Sequence, residues 1–270
     1  MLFLIGVTSF FLSAGAQVVQ VDHLRKETPD AQKAADFFAK TIRMPVVTGV
    51  RTTSHAFTAA VWFGNMAFYL SDSKKNTAGN QSAIIALEPV QHNDALVRLL
   101  DEYGVNYAAP LPVTGFKILS EQAEWSDFLL SDLSTAAMPV VIADYTTKEF
   151  VNAKRKEAKQ ILEQSDGSAL GIRLVKKIVV GSTDPEKNIH AWVSIPGVRR
   201  KEGNIFSFFN GPDILIEKAD QDAIKEVVIK VKSLQAAKDF LLEKKSLLLN
   251  GNTVLIDPAN TAGIRMVLEE

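Results

Sequence analysis

The residue types that could do chemistry are few in this 270-residue chain, which contains four histidines and no cysteine. The lack of cysteine excludes disulfide bonds, thiolate zinc sites and a cysteine nucleophile. The sequence has no nucleophile-elbow motif for hydrolysis. It also has no glycine-rich phosphate loop, because Gly64 and Gly211 belong to predicted turns. The remaining candidates are separate histidines, scattered carboxylates and aromatic side chains.

The aromatic candidates lie mainly on two predicted strands, residues 56–63 and 66–70, which are joined by a Gly64-Asn65 turn. Successive side chains of a strand point to opposite faces, so about half of these aromatics could line a concave cavity. Packing in the core is the alternative. We take Trp62 and Tyr69 as candidate ligand-binding residues. His55, in a predicted loop before the first strand, is a third candidate, and exposure to solvent is its alternative.

Composition and charge place the chain among ordinary globular proteins. Hydrophobic residues make up 47% of the chain, charged residues 23%, and the formal net charge is −1. A protein that binds nucleic acid needs a basic surface to neutralise phosphates. The near-neutral charge therefore argues against a nucleic-acid partner and leaves small molecules as the expected partners.

Residues 1–16 form an uncharged, mostly apolar run that ends in Ala14-Gly15-Ala16. This pattern predicts a secretory signal peptide that is cleaved before Gln17, although the usual basic residue near the start is missing. A buried first strand and a short membrane anchor are the alternatives, and the run is shorter than the ~20 apolar residues of a spanning helix. We expect an exported protein, periplasmic or secreted, with no membrane segment after cleavage.

One supersecondary pattern recurs four times after this segment: a β-branched strand, a capped helix and further short strands. The first copy contains Val21-Asp22-His23-Leu24, Pro29-Asp30 and Ala34-Ala35-Asp36-Phe37-Phe38. The helix of the second copy ends at Gly104-Val105, and the fourth copy ends in Asp257-Pro258 and a strand over 264–268. Such units cannot bury their apolar faces alone, so the copies must pack together.

This order of motifs resembles the vicinal-oxygen-chelate superfamily, which includes glyoxalase I, bleomycin-resistance proteins and extradiol dioxygenases. The resemblance implies an α+β fold of four βαβββ-type modules, paired into two glyoxalase-like domains with curled mixed sheets. We expect the first domain over residues 17–146, a charged connecting helix or linker over 147–168, and the second domain over 169–270. The charge run of the helix indicates a solvated face, with a specific docking surface as the alternative.

The resemblance also implies where a divalent metal ion would bind. Relatives hold the ion with a ligand on the first strand of a module and a carboxylate on its last strand. His23 matches the first-strand position, but Tyr69 stands near the carboxylate position. The equivalent first-strand positions of the later modules hold Ile84, Lys177 and Glu226.

His23 and Glu226 are therefore the candidate metal ligands, and a divalent cation is the candidate cofactor. For His23, a non-metal polar contact in the cavity and a packed strand histidine stay open as alternatives.

Three functions remain open from the sequence. The first is an exported glyoxalase-like protein that binds a small, partly apolar molecule in a sheet-lined cavity and has a degenerate metal site. The second is a metal-dependent lyase, isomerase or dioxygenase, in which the ion polarises the substrate. The third is an interaction protein. Neither the ligand nor the oligomeric state can be read from the sequence, since a fold does not fix a function.

Overall fold

The computed structural model describes residues 17–53, 56–73, 83–90, 94–118 and 121–270. The predicted signal peptide and His55 lie outside the described residues. In the described part of the chain, no helix has both the length and the apolar character needed to cross a membrane.

Two eight-stranded mixed sheets form the framework of the protein. The order of strands is β2-β3-β4-β1-β5-β8-β7-β6 in the first sheet and β10-β11-β12-β9-β13-β16-β15-β14 in the second. The first sheet consists of β1 (Val18–Glu27), β2 (Val46–Thr53), β3 (Ala56–Trp62), β4 (Ala67–Ser73), β5 (Ala83–Pro89), β6 (Leu111–Ile118), β7 (Glu121–Leu129) and β8 (Val140–Tyr145). The second consists of β9 (Ile172–Ser182), β10 (Arg199–Arg200), β11 (Ile205–Ser207), β12 (Asp213–Lys218), β13 (Ala223–Val231), β14 (Leu247–Asn250), β15 (Thr253–Ile256) and β16 (Met266–Glu269).

The two sheets repeat one topology. In the first sheet, β1 pairs parallel with β4 and antiparallel with β5; in the second, β9 pairs parallel with β12 and antiparallel with β13. Each half of a sheet is thus one βαβββ module, and the two modules of a sheet meet along their first strands. This confirms the predicted fold of four modules paired into two glyoxalase-like domains.

The strands missed by the sequence pattern lie at sheet edges. In three of the four modules, the first strand after the helix lies at a sheet edge and was not indicated by the apolar pattern. These strands are β2, β10 and β14. Both residues of β10 and three of the four in β14 are exposed. An edge strand does not need the apolar alternation of a buried one, so its signal is weak.

The helices are α1 (Ala31–Asp36), which continues as a π-helical segment (Phe37–Ile42), α2 (Asp94–Glu102), α3 (Lys148–Gln164), α4 (Pro185–Ser194) and α5 (Leu234–Glu243). Side-chain caps begin two of them: Asp184 accepts from the Lys187 amide, and Ser233 accepts from the Ala236 amide. The π-helical segment packs on the first sheet through Phe38, whose ring meets those of Phe63 and Phe68 edge to face.

Hydrogen bonds and a close approach of two backbone segments join the two domains directly. The Asn65 side chain donates to the Val175 carbonyl and accepts from the Val175 amide, both at 2.9 Å. The neighbouring Gly64 has a φ of +90°, and a Cβ atom there would lie 2.2 Å from the Arg173 carbonyl oxygen. The Val18 amide also donates to the Pro196 carbonyl at 2.9 Å. The contacts of Gly64 and Asn65 place their turn directly against β9 of the second domain.

Candidate functional site

A bulge in β1 places two adjacent polar side chains together. Val21 pairs with Leu87 and His23 pairs with Ala86, so Asp22 is an extra residue in β1. A bulge lets neighbouring side chains share a face of the sheet, which regular alternation forbids. The His23 Nδ1 atom accordingly lies 2.7 Å from Asp22 Oδ2, and both residues are buried.

Helix α3 supplies the cation of this cluster. The Arg155 guanidinium donates from Nη2 to Asp22 Oδ1 at 2.5 Å and from Nη1 to Glu88 Oε2 at 2.8 Å. Gln20 also donates to Glu88 Oε2, and the Lys148 ammonium lies 3.6 Å from Glu88 Oε1. Only 13% of the Arg155 side chain is exposed. Two buried carboxylates are therefore neutralised by cations from one helix.

The protonation states follow from these contacts. Burial raises the pKa of Asp22, but the Arg155 charge and the His23 hydrogen bond outweigh it and hold that pKa well below its usual range. Burial would lower the pKa of Arg155, but Asp22 and Glu88 raise it overall. Asp22 is thus a carboxylate, and it accepts the hydrogen bond from His23 Nδ1. The Nε2 atom of His23 remains as the ring nitrogen that could contact a ligand.

Two tyrosines complete the cluster. The Tyr145 hydroxyl donates to Asp22 Oδ2 at 2.5 Å, and the Tyr69 ring lies 4.7 Å from the His23 ring. Burial and the neighbouring Asp22 charge raise the pKa of both phenols above the usual value. Both tyrosines therefore stay neutral at physiological pH.

A second polar contact links β1 and β7 through the half-buried Arg25 and the buried Asp127. Trp125 Nε1 donates to Asp127 Oδ1 at 2.9 Å, and Arg25 Nη1 lies 4.0 Å from Asp127 Oδ2. Burial raises the pKa of Asp127, and the Arg25 charge opposes the shift without cancelling it. The Nε atom of Arg25 is buried and has no hydrogen-bond partner among the described residues.

Strand register places Trp62 on the same face as His23. Trp62 pairs with Ala67 across β3 and β4, and Ala67 pairs with His23 across β4 and β1. Directly paired residues share a face of a sheet, so we call this side the inner face of the first sheet. His23 is flanked by the small side chains of Ala67 and Ala86 on the neighbouring strands.

The indole of Trp62 carries a buried polar atom of the inner face that lacks a partner among the described residues. Its side chain is almost fully buried, with 5% of the residue exposed. Its indole Nε1 has no hydrogen-bond partner in the part of the chain that the structure describes. A buried donor without a partner is costly, and it is a place where a ligand acceptor would bind favourably.

An open cleft of about 310 Å³ adjoins Trp62 and Arg155. One wall is a single face of α3, and the opposite wall comes from β1, from the β3–β4 region and from the turn before β12. The helix contributes Asn152, Arg155, Lys156 and Lys159; the opposite wall contributes Gln20, Trp62, Asn65, Asn210 and Gly211. A volume of this size accommodates a small organic molecule.

Solved structures share this arrangement of modules. A Mn(II)-bound glyoxalase from Novosphingobium aromaticivorans is 13% identical and has a TM-score of 0.59, covering 94% of this chain and 82% of that one. The 2,3-dioxygenase LapB from Pseudomonas sp. KL28 is 10% identical with a TM-score of 0.57, covering 93% and 92%. The chain has the vicinal-oxygen-chelate fold. A hypothetical protein from Staphylococcus aureus shares this fold at 11% identity, with a TM-score of 0.64 and coverage of 94% and 99%.

Sequence comparison adds nothing to this similarity of structure. No protein-family model matches the chain, and no curated protein matches it in sequence. The resemblance predicted from the motifs is therefore supported for the vicinal-oxygen-chelate fold alone. The chemistry of the site depends on the residues of this chain.

Several polar groups of the inner face, among the described residues, are already engaged with one another. His23 Nδ1 is bound to Asp22, and the Asp22 oxygens are bound to Arg155 and Tyr145. The β4 and β8 strands contribute the neutral phenols of Tyr69 and Tyr145, which are poor ligands compared with carboxylates. Within the described ranges, no three His, Asp or Glu side chains converge so as to hold a metal ion.

The predicted site residues lie in different places. His23, Trp62 and Tyr69 share the inner face of the first sheet. Glu226, the second candidate metal ligand, lies on β13 of the second sheet, where it accepts from Arg265 Nε at 3.2 Å. His55 lies outside the described residues. The structure thus places three of the five candidates on one face of the first sheet, and Trp62 among them lines the cleft.

Arg155 is the main residue that sequence reasoning missed. Helix α3 has the expected solvated face, with most of its charged residues exposed, but Val151, Ala158 and Leu162 form a buried face. Together with Arg155 they follow the 4-3-4 spacing of one helical face. An arginine within an apolar stripe was the available signal that α3 carries a cation into the protein.

Proposed function

We propose that this protein binds a small, partly apolar molecule at the inner face of its first sheet without using a metal ion. The ligand enters through the cleft beside Trp62 and lies near His23 and Tyr69. The observation that carries the proposal is the ion pairing of Arg155 with Asp22 and Glu88. The guanidinium supplies the positive charge beside the inner-face carboxylates, and it uses the oxygen atoms that would otherwise be available to a cation.

The chemistry of the inner face is suited to binding. His23 Nε2 can accept a hydrogen bond because Asp22 fixes Nδ1 as the donor. Trp62 offers an unpartnered indole N–H, and the Tyr69 ring offers an aromatic surface. One protein of similar structure is a Mn(II)-bound glyoxalase, and we propose that the corresponding site of this chain is degenerate. The donor set therefore favours binding over metal-dependent lyase, isomerase or dioxygenase chemistry.

The test is ligand binding in the presence of EDTA. The chain contains three tryptophans, so an amide-correlation NMR spectrum has three indole signals, and Trp62→Phe identifies the one from Trp62. A set of small aromatic and aliphatic metabolites should include compounds that shift this signal with EDTA present. Binding that appears only after a divalent metal is added would contradict the proposal.

We also propose that the protein is exported and that the mature chain begins at Gln17. The support is the uncharged apolar run ending in Ala14-Gly15-Ala16. Amino-terminal sequencing of the protein from the periplasm or the medium should give Gln17 first. A cell-associated chain that still begins at Met1 would contradict export.

A further inference from the structure

The cleft beside Trp62 is lined by nitrogen donors, and no acidic side chain of the described residues belongs to its lining. Its helical wall carries Arg155, Lys156 and Lys159, and its other polar side chains are amides or the Trp62 indole. We infer that the cleft binds a small organic anion, a carboxylate or phosphate attached to an apolar body. This inference rests on the proposed function and names the class of ligand.

The lysines, rather than Arg155, supply the net charge of the cleft. Arg155 is already neutralised by Asp22 and Glu88. Lys156 is exposed and forms no ion pair with a described residue. Lys159 lies 3.8 Å from Glu163, an exposed contact that a ligand can displace at little cost. The spacing of 155, 156 and 159 keeps both ammonium groups on one face of α3.

Both walls provide directional hydrogen-bonding groups. On the helical wall, the Asn152 amide oxygen accepts from Arg155 Nη1 at 3.0 Å, and the NH₂ group of Asn152 takes no part in that contact. The unpartnered Trp62 Nε1 is an independent indication of a ligand, because it is buried and lines the cleft. An anion near the lysines could accept from it directly, and the indole ring could contact the apolar body.

Two matched pairs of probes test the charge requirement: benzoate against benzamide, and phenyl phosphate against phenol. Within each pair the aromatic ring is kept while the anionic group is removed. Calorimetric titration of the full-length protein at low salt should show at least about tenfold tighter binding of the anionic member. Raising the ionic strength should weaken only the anions.

Charge-reversal variants locate the site. Lys156→Glu with Lys159→Glu should weaken both anions by about tenfold or more. The control is Lys33→Glu with Lys187→Glu, which reverses two exposed helical lysines outside the cleft and should change affinity less than about twofold. Circular dichroism of both double variants confirms that they fold.

The outcomes separate the two proposals. Anion-selective binding that the cleft variant alone loses supports the inference. Equal binding of charged and neutral probes, with a shift of the Trp62 indole signal, overturns the inference and leaves the proposed function intact. Anion binding that both double variants lose equally also overturns it, since the site would then lie elsewhere. Binding of no probe overturns both proposals.

Discussion

Asp22 and Arg155 form a 2.5 Å hydrogen-bonded ion pair although they are 133 positions apart in the sequence. The aspartate is the extra residue of a β-bulge, and the arginine comes from the helix that connects the two domains. The pair therefore joins the first strand of the fold to the inter-domain helix. The Nη1 atom of Arg155 also donates to Glu88. Arg155 therefore neutralises two carboxylates of the inner face.

Removing this cation should destabilise the protein strongly. Arg155→Ala leaves two buried carboxylates without their main partner, which costs about 3–5 kcal/mol in comparable buried pairs. Lys159→Ala, one turn further along the same helix and exposed, should change the free energy of unfolding by less than about 0.5 kcal/mol. Urea denaturation followed by circular dichroism measures both. Equal stabilities of the two variants would show that the ion pair does not hold α3 in place.

Asp22 should make the folded protein lose stability in acid. Arg155 and His23, opposing the effect of burial, hold its pKa in the folded protein well below the ordinary value of 3.8. The resulting stabilisation is present above about pH 4 and is lost as the pH falls below it towards the folded-state pKa. Asp22→Asn should therefore flatten the acid decline of the unfolding free energy. The measurement is the slope of that free energy between about pH 2 and pH 5; an unchanged slope in the variant would contradict the shifted pKa.

Asp127 should act with the opposite sign. Burial raises its pKa above 3.8 in the folded protein. At pH values between 3.8, the ordinary pKa in the unfolded chain, and the higher pKa in the folded protein, the folded state binds more protons than the unfolded state. The free energy of unfolding therefore falls as the pH rises through this range. Asp127→Asn should remove this fall while keeping an acceptor for Trp125. Variants of Asp22 and Asp127 that change the slope in the same direction would show that the two environments are not distinct.

The contact between the domains should depend on the backbone of Gly64. An added Cβ would lie 2.2 Å from the Arg173 carbonyl oxygen, and the residue has a positive φ. Gly64→Ala should lower stability by about 3 kcal/mol or more. Gly104 also has a positive φ but no atom within 4 Å of an added Cβ, so Gly104→Ala should cost only about 1 kcal/mol.

Thermal and urea unfolding measure the stability lost in each glycine variant. Gly104→Ala reports the cost of a positive φ alone, and the additional loss in Gly64→Ala reports the steric clash with β9. If both variants lose the same stability, the turn does not press against β9 as the structure shows.

The fold was predictable because its signal repeats along the chain. Four copies of a strand–helix–strand pattern indicated paired modules, and His23 was predicted to lie on the first strand of the first module. The edge strands β10 and β14 were missed because their residues are mostly exposed and carry little apolar periodicity. The third missed strand, β2, also lies at a sheet edge.

The site was less predictable because its contacts depend on geometry. Nothing local in the sequence indicates that Asp22 is a bulge residue or that Arg155 reaches it. The family pattern placed Tyr69 near the expected carboxylate position, which predicts an altered donor set. It did not show that the guanidinium of a linker helix would neutralise the inner-face carboxylates, because that requires the packing of α3.

The most direct test of the central claim is metal retention. Purified protein is dialysed against Mn(II), and in parallel against Zn(II), followed by metal-free buffer, and the bound metal is measured by mass spectrometry. We expect far less than one ion per chain, and the same low value for His23→Ala. About one tightly held ion per chain that is lost in His23→Ala would contradict the account, because His23 would then be a metal ligand.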